Sequence, residues 1–203
     1  MAPTDSTTLS TAGPLTTERL ELLPVEVGFA DEMAQVLGDP ALHTFIGGEP
    51  EDVDALRIRY ARWAKGSPDP AVIWLNRVVR LRDEGRLVGT LQATIRVAPW
   101  TETATETESE TDIETRTATR VEAPAASIPV AEVAWVVGTA WQGRGLAKEA
   151  ALAWVTWLRA QGMAEIRAHI HPDNAASAAV GRAVGLAPTD IRQDGERRWS
   201  TRS

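Results

Sequence analysis

Between residues 130 and 162 the hydrophobic period changes once, and that change limits the possible folds more than any other feature of the chain. Val130-Ala131-Glu132-Val133-Ala134-Trp135-Val136-Val137 is nearly continuous in apolar residues, as a strand in a covered sheet would be. Residues 145–162 then place Leu146, Ala150, Ala153, Trp154, Trp157 and Leu158 on one helical face, with Gly162 as the stop. A strand that leads so directly into an amphipathic helix must lay that helix against its own sheet, so the domain is a layered mixture of helix and strand.

The flanking sequence extends this pattern. Residues 17–27 read as a short strand, and 28–39 and 51–66 as helices, the second marked by Val53, Leu56, Tyr60 and Trp63 at helical spacing. Residues 74–81 and 86–97 form a hairpin about Arg82-Asp83-Glu84-Gly85; in its second arm Leu87, Gly89, Leu91, Ala93, Ile95 and Val97 alternate with mostly polar residues. Residues 164–172 are a strand, 174–185 a helix rich in small residues, and 191–202 a hairpin turning on Asp194-Gly195. Residues 1–16, rich in Thr, Ser and Pro, are expected to be a disordered tail, and 17–203 one domain interrupted by an acidic Thr/Glu-rich surface insertion at 98–129.

Composition narrows the function. The net charge of −7 is concentrated in the insertion, where residues 102–122 carry seven acidic side chains against two arginines. No clustered basic face marks a nucleic-acid binder. No apolar run reaches the roughly 20 residues that a membrane helix needs, and residues 1–16 lack the features of a signal peptide. The absence of cysteine excludes disulfides and thiolate metal sites, and a cytoplasmic protein is the simplest expectation.

The junction between strand and helix is Gln142-Gly143-Arg144-Gly145-Leu146-Ala147-Lys148. A helix start presents unpaired N–H groups and the positive end of the helix dipole, which favours phosphate. Gly143 and Gly145 let an anion approach the backbone, while Arg144 and Lys148 add charge. A structural role for the glycines, as dihedral-permissive turn residues, stays open at this point. A Walker loop is excluded because no Gly-Lys-Ser/Thr follows. A dinucleotide fingerprint fits poorly, since Lys148 stands where its third glycine belongs, although Asp173 occupies a place suited to a ribose-binding acid.

The stretch 142–147 matches the Q/R-x-x-G-x-G/A signature of the GNAT acetyltransferases, and four further stretches match in the family's order. Thr17-Glu18-Arg19-Leu20 and Ala131-Glu132-Val133 resemble the opening and cofactor-strand motifs of the Rim-type branch, which acetylates ribosomal-protein N-termini and small amines. His171-Pro172-Asp173-Asn174-Ala175-Ala176-Ser177 resembles its x-P-x-N-x-x-S, and Gly185-Leu186 its closing G-[FL]. The resemblance implies an α+β (mixed α/β) fold with a largely antiparallel central sheet, two splayed parallel strands at 130–137 and 164–171, and about four flanking helices.

It also implies the site. Acetyl-CoA is the expected donor, with no metal. Its pantetheine arm is expected against the backbone of Trp135, Val136 and Val137. The diphosphate belongs on Gln142, Gly143, Arg144, Gly145, Leu146, Ala147 and Lys148, and Asn174 and Ser177 complete the cofactor contacts. An amine acceptor is the second partner, and a homodimer is compatible with the family. Three groups are candidates for the chemistry. Ser177 would face the sulfur, because the tyrosine many relatives keep seven residues after the asparagine is Gly181 here and the only tyrosine, Tyr60, is remote. Glu132 and His169 are alternative bases, with His171 on the same strand face as His169. Phe45 and Trp63 are expected near the acceptor, and Arg192, Arg197 and Arg198 would favour an acidic one. A non-catalytic acyl-CoA-binding module remains the alternative.

Overall fold

The computed structural model describes residue 9 and residues 12–96 and 129–201. The strands are β1 (Leu15–Thr16), β2 (Leu20–Pro24), β3 (Val72–Leu81), β4 (Leu87–Arg96), β5 (Val130–Val137), β6 (Glu165–Ile170), β7 (Ala187–Gln193) and β8 (Glu196–Ser200). The helices are α1 (Ala30–Leu37), α2 (Pro40–Ile46), α3 (Val53–Lys65), α4 (Leu146–Ala160) and α5 (Ala175–Ala183). One sheet of eight strands runs β1-β2-β3-β4-β5-β6-β8-β7, antiparallel throughout except for the pair β5/β6.

Each face of the sheet has its own apolar cover. Trp154, Leu158 and Leu146 of α4 pack on Leu91, Ile95, Val133 and Ile166, a cluster that Val180 of α5 and Trp199 of β8 extend. On the other side Met33 and Val36 of α1 meet Leu56 and Tyr60 of α3 over Val78 and Leu87. The helical face inferred from 145–162 is therefore correct in outline, with Ala151 and Val155 added to its buried set. The hairpin turn falls where expected: Asp194 and Gly195 both take positive φ, 51° and 84°, as a two-residue turn matching strand twist requires.

Three features differ from the sequence-based expectation. Order begins ahead of Thr17: Leu15–Thr16 pair with Glu21–Leu22, Leu9 is buried in the α4-side core, and the Arg77 guanidinium donates to the Ala12 carbonyl at 2.8 Å. A fifth helix, α2, lies between the two expected early ones; Asp39 caps it by accepting from the Ala41 N–H at 2.9 Å, and Pro40 opens it. The acidic insertion, apart from Pro129, lies outside the described residues.

Candidate active site

The expected splay is present. Strands β5 and β6 pair only at Val130–Glu132 with Glu165–Arg167, although β5 continues to Val137 and β6 to Ile170. Beyond Glu132 each strand keeps its outer partner, β4 or β8, and the inner edges separate. The antiparallel ladder shows which groups face the gap. Gly138 N–H donates to Val88 O at 2.9 Å, so by alternation Val136 bonds toward β4 while Trp135 and Val137 turn their N–H and C=O toward the gap. This corrects one expectation: the Val136 backbone is committed to the sheet, and only its side chain lines the cleft.

The gap opens into a cavity of about 500 Å³ whose wall includes Trp135, Val137, Trp141, Gln142, Gly143, Gly145, Leu146, Ala147, Lys148, Asn174 and Ser177. At its outer end Gln142 Nε2 donates to Val137 O at 3.0 Å, tying the loop back to the strand it leaves. Gly143 and Gly145 have φ of 73° and 77°, a region that disfavours side chains. Gly145 is the N-cap of α4 and supplies no side-chain acceptor, so the amides of Leu146, Ala147 and Lys148 have no intrahelical partner.

The glycines fall into two groups when a Cβ is imagined on each. At Gly89 it would lie 2.2 Å from Val136 O, so the approach of the backbones requires glycine there, and at Gly181 it would lie 3.1 Å from Ile170 Cδ1, a tight contact. At Gly143 it would meet nothing within 4 Å, and at Gly145 only Arg19 Nη2 at 3.7 Å. Among the described residues, Arg19 alone approaches the Cβ positions of these two glycines. Arg144 departs from expectation: it is absent from the cavity wall, and its side chain extends toward Glu84 at 3.8 Å, which leaves Lys148 as the cation at the cavity.

Asn174 caps α5, its Oδ1 accepting from the Ser177 N–H at 2.9 Å. Ser177 is thus three residues into the helix rather than its cap, and its half-buried side chain lines both the first cavity and a second of about 290 Å³. Gly181 packs on Ile170 and Trp199, so a tyrosine is sterically excluded there, and Tyr60 is buried among α1 and α3. No phenol reaches the cleft among the described residues.

The second cavity lies on the other side of the gap and brings together two residues that are 37 apart in sequence: His169 Nδ1 is 3.1 Å from Glu132 Oε1. The pairing follows from register, because Glu132 opposes Arg167 at the last paired step and His169 projects from the same face two residues on. A carboxylate only accepts, so Nδ1 donates to it, and in the neutral ring the lone pair then lies on Nε2. His169 Nε2 is buried and has no partner among the described residues. His171 lines the same cavity, but its Nδ1 accepts from the Asp173 N–H at 3.2 Å and its ring lies 5.5 Å from that of Phe45.

A third cavity of about 420 Å³ continues along this face, sharing Ile46, Gln92, Ala134 and Val136 with the second and including Trp63, Glu49 and Glu51. Sequence reasoning missed Ile46, Gln92, Thr94 and Glu196; the signal for Gln92 and Thr94 was their place on the polar face of the alternating strand. None of Arg192, Arg197 and Arg198 lines these three cavities, and Arg192 is exposed. Arg197 lies 3.7 Å from Asp190, Arg198 is buried, and Glu196 is the hairpin's contribution to the cavities.

The sheet opened between two parallel strands thus has a glycine-rich helix start at one end of its gap and a carboxylate–imidazole pair at the other. The family model for the Acetyltransferase (GNAT) domain matches residues 19–187, and the chain belongs to that family. Among solved structures it resembles a GNAT-family acetyltransferase from Bacillus anthracis (16% identity, 92% of this chain and 95% of that one, TM-score 0.62). It is also similar in fold to a putative ribosomal-protein-serine acetyltransferase from Vibrio cholerae (16%, 98% of each, TM-score 0.59). The RimL ribosomal L7/L12 alpha-N-protein acetyltransferase is a further likeness (14%, 92% and 91%, TM-score 0.62). No curated protein matches the sequence significantly.

Proposed function

We propose that the chain transfers an acetyl group from acetyl-CoA to a primary amine within a ternary complex, in the cytoplasm. The observation that carries this reading is the continuity of the strand gap, with open glycine amides at one end and the Glu132–His169 pair at the other. Structural relatives have been captured with this ligand: the microcin C7 self-immunity protein MccE with acetyl-CoA and AMP, and RimL with coenzyme A.

In this reading the diphosphate lies on the amides of Gly143 to Lys148, supported by the helix dipole and the Lys148 ammonium. The pantetheine arm adds to the free inner edge of β5 at the backbone groups of Trp135, since the Val137 C=O already accepts from Gln142 and its N–H is kept for the thioester oxygen. Asn174, whose Oδ1 is used in the helix cap, still has its NH₂ to donate to a pantetheine carbonyl. The acceptor lies along the second and third cavities, where Glu132, Glu196 and Glu49 attract a cationic amine, Glu51 being paired with Arg59 at 2.7 Å.

Attack requires a neutral nitrogen, while a free alkylamine is protonated below a pKa of about 10. His169 Nε2 takes the proton, and Glu132 holds the ring and stabilises the resulting imidazolium through Nδ1. As the amine nitrogen bonds to the thioester carbonyl carbon, the Val137 N–H receives the developing oxyanion. The C–S bond then breaks, the thiolate accepts a hydrogen bond from the Ser177 hydroxyl, and it takes up the proton that the cationic nitrogen of the adduct gives up as the amide forms. Incubation with labelled acetyl-CoA and a panel of amines and peptides tests the reading. Acetylated product with stoichiometric CoA release supports it, and failure to bind acetyl-CoA at tens of micromolar ends it. The missing phenol favours one competitor, a non-catalytic acyl-CoA-binding module, which would bind the ligand and release no CoA.

A further inference from the structure

The Thr17-Glu18-Arg19-Leu20 stretch has no part in the chemistry above, yet its side chains converge on the phosphate loop. We infer that Arg19, with Thr17 and Glu149, forms a clamp that fixes the Gly143–Lys148 loop in its anion-receiving conformation. Arg19 is then a positioning residue for coenzyme A, and the inference rests on the acetyl-CoA reading.

The loop has a problem that the clamp solves. Glu149 lies in the first turn of α4, beside amides that are to receive a diphosphate, where a free carboxylate would repel it. Three donors occupy that carboxylate: the Thr17 hydroxyl at 2.6 Å, the Arg19 backbone N–H at 2.9 Å and Arg19 Nε–H at 2.7 Å. Burial acts to raise the Glu149 carboxyl, but the bonds from Thr17 and Arg19 together outweigh it and hold the group below its ordinary value. Its charge is thus retained and compensated, and all of those donors lie on the N-terminal segment.

The same guanidinium reaches the loop itself. Arg19 Nη1 donates to the carbonyl of Arg144, between the two glycines, at 3.0 Å. In a trans peptide the C=O and the following N–H point in opposite directions, so drawing the Arg144 carbonyl toward Arg19 turns the Gly145 N–H away from it. A loop with two glycines and no side-chain cap has little to fix that plane from within. The clamp is itself anchored: Arg82 Nη1, in the β3–β4 turn, donates to the carbonyls of Thr17 and Glu18 at 3.0 and 2.9 Å. Arginine suits the position because one planar fork serves a carboxylate and a carbonyl together, which a lysine ammonium cannot reproduce.

The test compares wild type with Arg19→Ala, Arg19→Lys and Arg19→Ala/Glu149→Gln. It measures calorimetric CoA affinity, kcat and KM, melting temperature, and amide exchange of residues 143–148 without ligand. Arg19→Ala should weaken CoA binding by about tenfold or more, with kcat at saturation within about twofold and loop exchange at least about tenfold faster. Arg19→Lys should recover part of the affinity by neutralising Glu149. The double variant should also bind better than Arg19→Ala, because the uncompensated carboxylate is gone. Arg19 is half-exposed, so its truncation leaves the core intact. Wild-type affinity and unchanged loop exchange in Arg19→Ala would overturn the clamp while the acetyl-CoA reading stood. Equal losses in kcat and KM with a lowered melting temperature would reduce Arg19 to a structural role and overturn it as well. A wild type that bound no CoA would overturn both.

Discussion

The two loop glycines and the two facing catalytic candidates make opposite demands on their surroundings. Gly143 and Gly145 stand under empty space, so a side chain there costs backbone strain of about 1–2 kcal/mol from the left-handed φ and, beyond that, obstructs the ligand rather than the fold. Gly145→Asp should therefore raise KM for acetyl-CoA at least about tenfold while the protein still folds, which steady-state kinetics and a melting curve together would check. Glu132 and His169 act on the acceptor side. Glu132→Gln keeps the shape but loses the charge that stabilises the imidazolium, so kcat should fall by about a hundredfold with KM for acetyl-CoA little changed. Ser177→Ala should have a smaller effect on kcat. A loss of acetyl-CoA affinity in Glu132→Gln would contradict this division of labour. All of these residues were legible singly in the sequence, but their partnerships were not. That Glu132 meets His169 depends on parallel register between distant strands, and periodicity within either strand says nothing about it.

At the scale of elements, α2 shows what a short helix conceals and what it contributes. Seven residues with Leu42 as the buried one give too little period to recognise, and Pro40 and Gly47 at its ends suggest a loop. Yet α2 supplies Phe45 and Ile46 to the cavities on either side of the gap. Its cap also joins it to the turn that follows β5: Asp39 accepts from the Thr139 hydroxyl at 2.5 Å and from the Ala41 N–H at 2.9 Å. The Thr139 bond first, then the Ala41 bond, hold the Asp39 carboxyl below its ordinary value, against a smaller opposing effect of burial. A carboxyl lower in the folded state binds fewer protons there than in the unfolded chain. Its contribution is therefore complete above the ordinary Asp value of about 4 and is lost as pH falls through the depressed folded value. The gap in melting temperature between wild type and Asp39→Ala should be constant from pH 7 to 5 and narrow steadily as pH falls toward 3. A gap that widened on acidification would show that Asp39 is not the tie. The longer elements α1, α3, α4, α5 and β3–β6 were legible because their periods run for several turns or pairs, or end in recognisable caps and glycines.

For the whole molecule, the open edge between β5 and β6 is both the proposed ligand site and, apart from the short edge strand β1, the seam with the fewest pairs in the sheet. Nine residue pairs join β3 to β4 and eight join β4 to β5, but three join β5 to β6. Which strands lie side by side, and that two of them part, came from the family resemblance; one sequence carries strand periods but no strand order. A ligand whose arm bonds to the inner edge of β5 and whose other contacts come from α4 and α5 would close that seam. At a CoA concentration a hundredfold above its dissociation constant, binding to the native state alone adds about 2.7 kcal/mol. For a chain of 203 residues that corresponds to a rise in melting temperature of about 5–10 °C. The gain should be shared across the seam, so exchange of the amides of β5 beyond Glu132 and of the β6–β8 pair should slow together on adding CoA. Inorganic pyrophosphate, which can occupy the Gly143–Lys148 amides but lacks the arm, should slow the loop amides and leave both strands unchanged. Protection confined to the loop with CoA itself would mean that the arm does not enter the gap, and the proposed path of the acetyl group to His169 would fail with it.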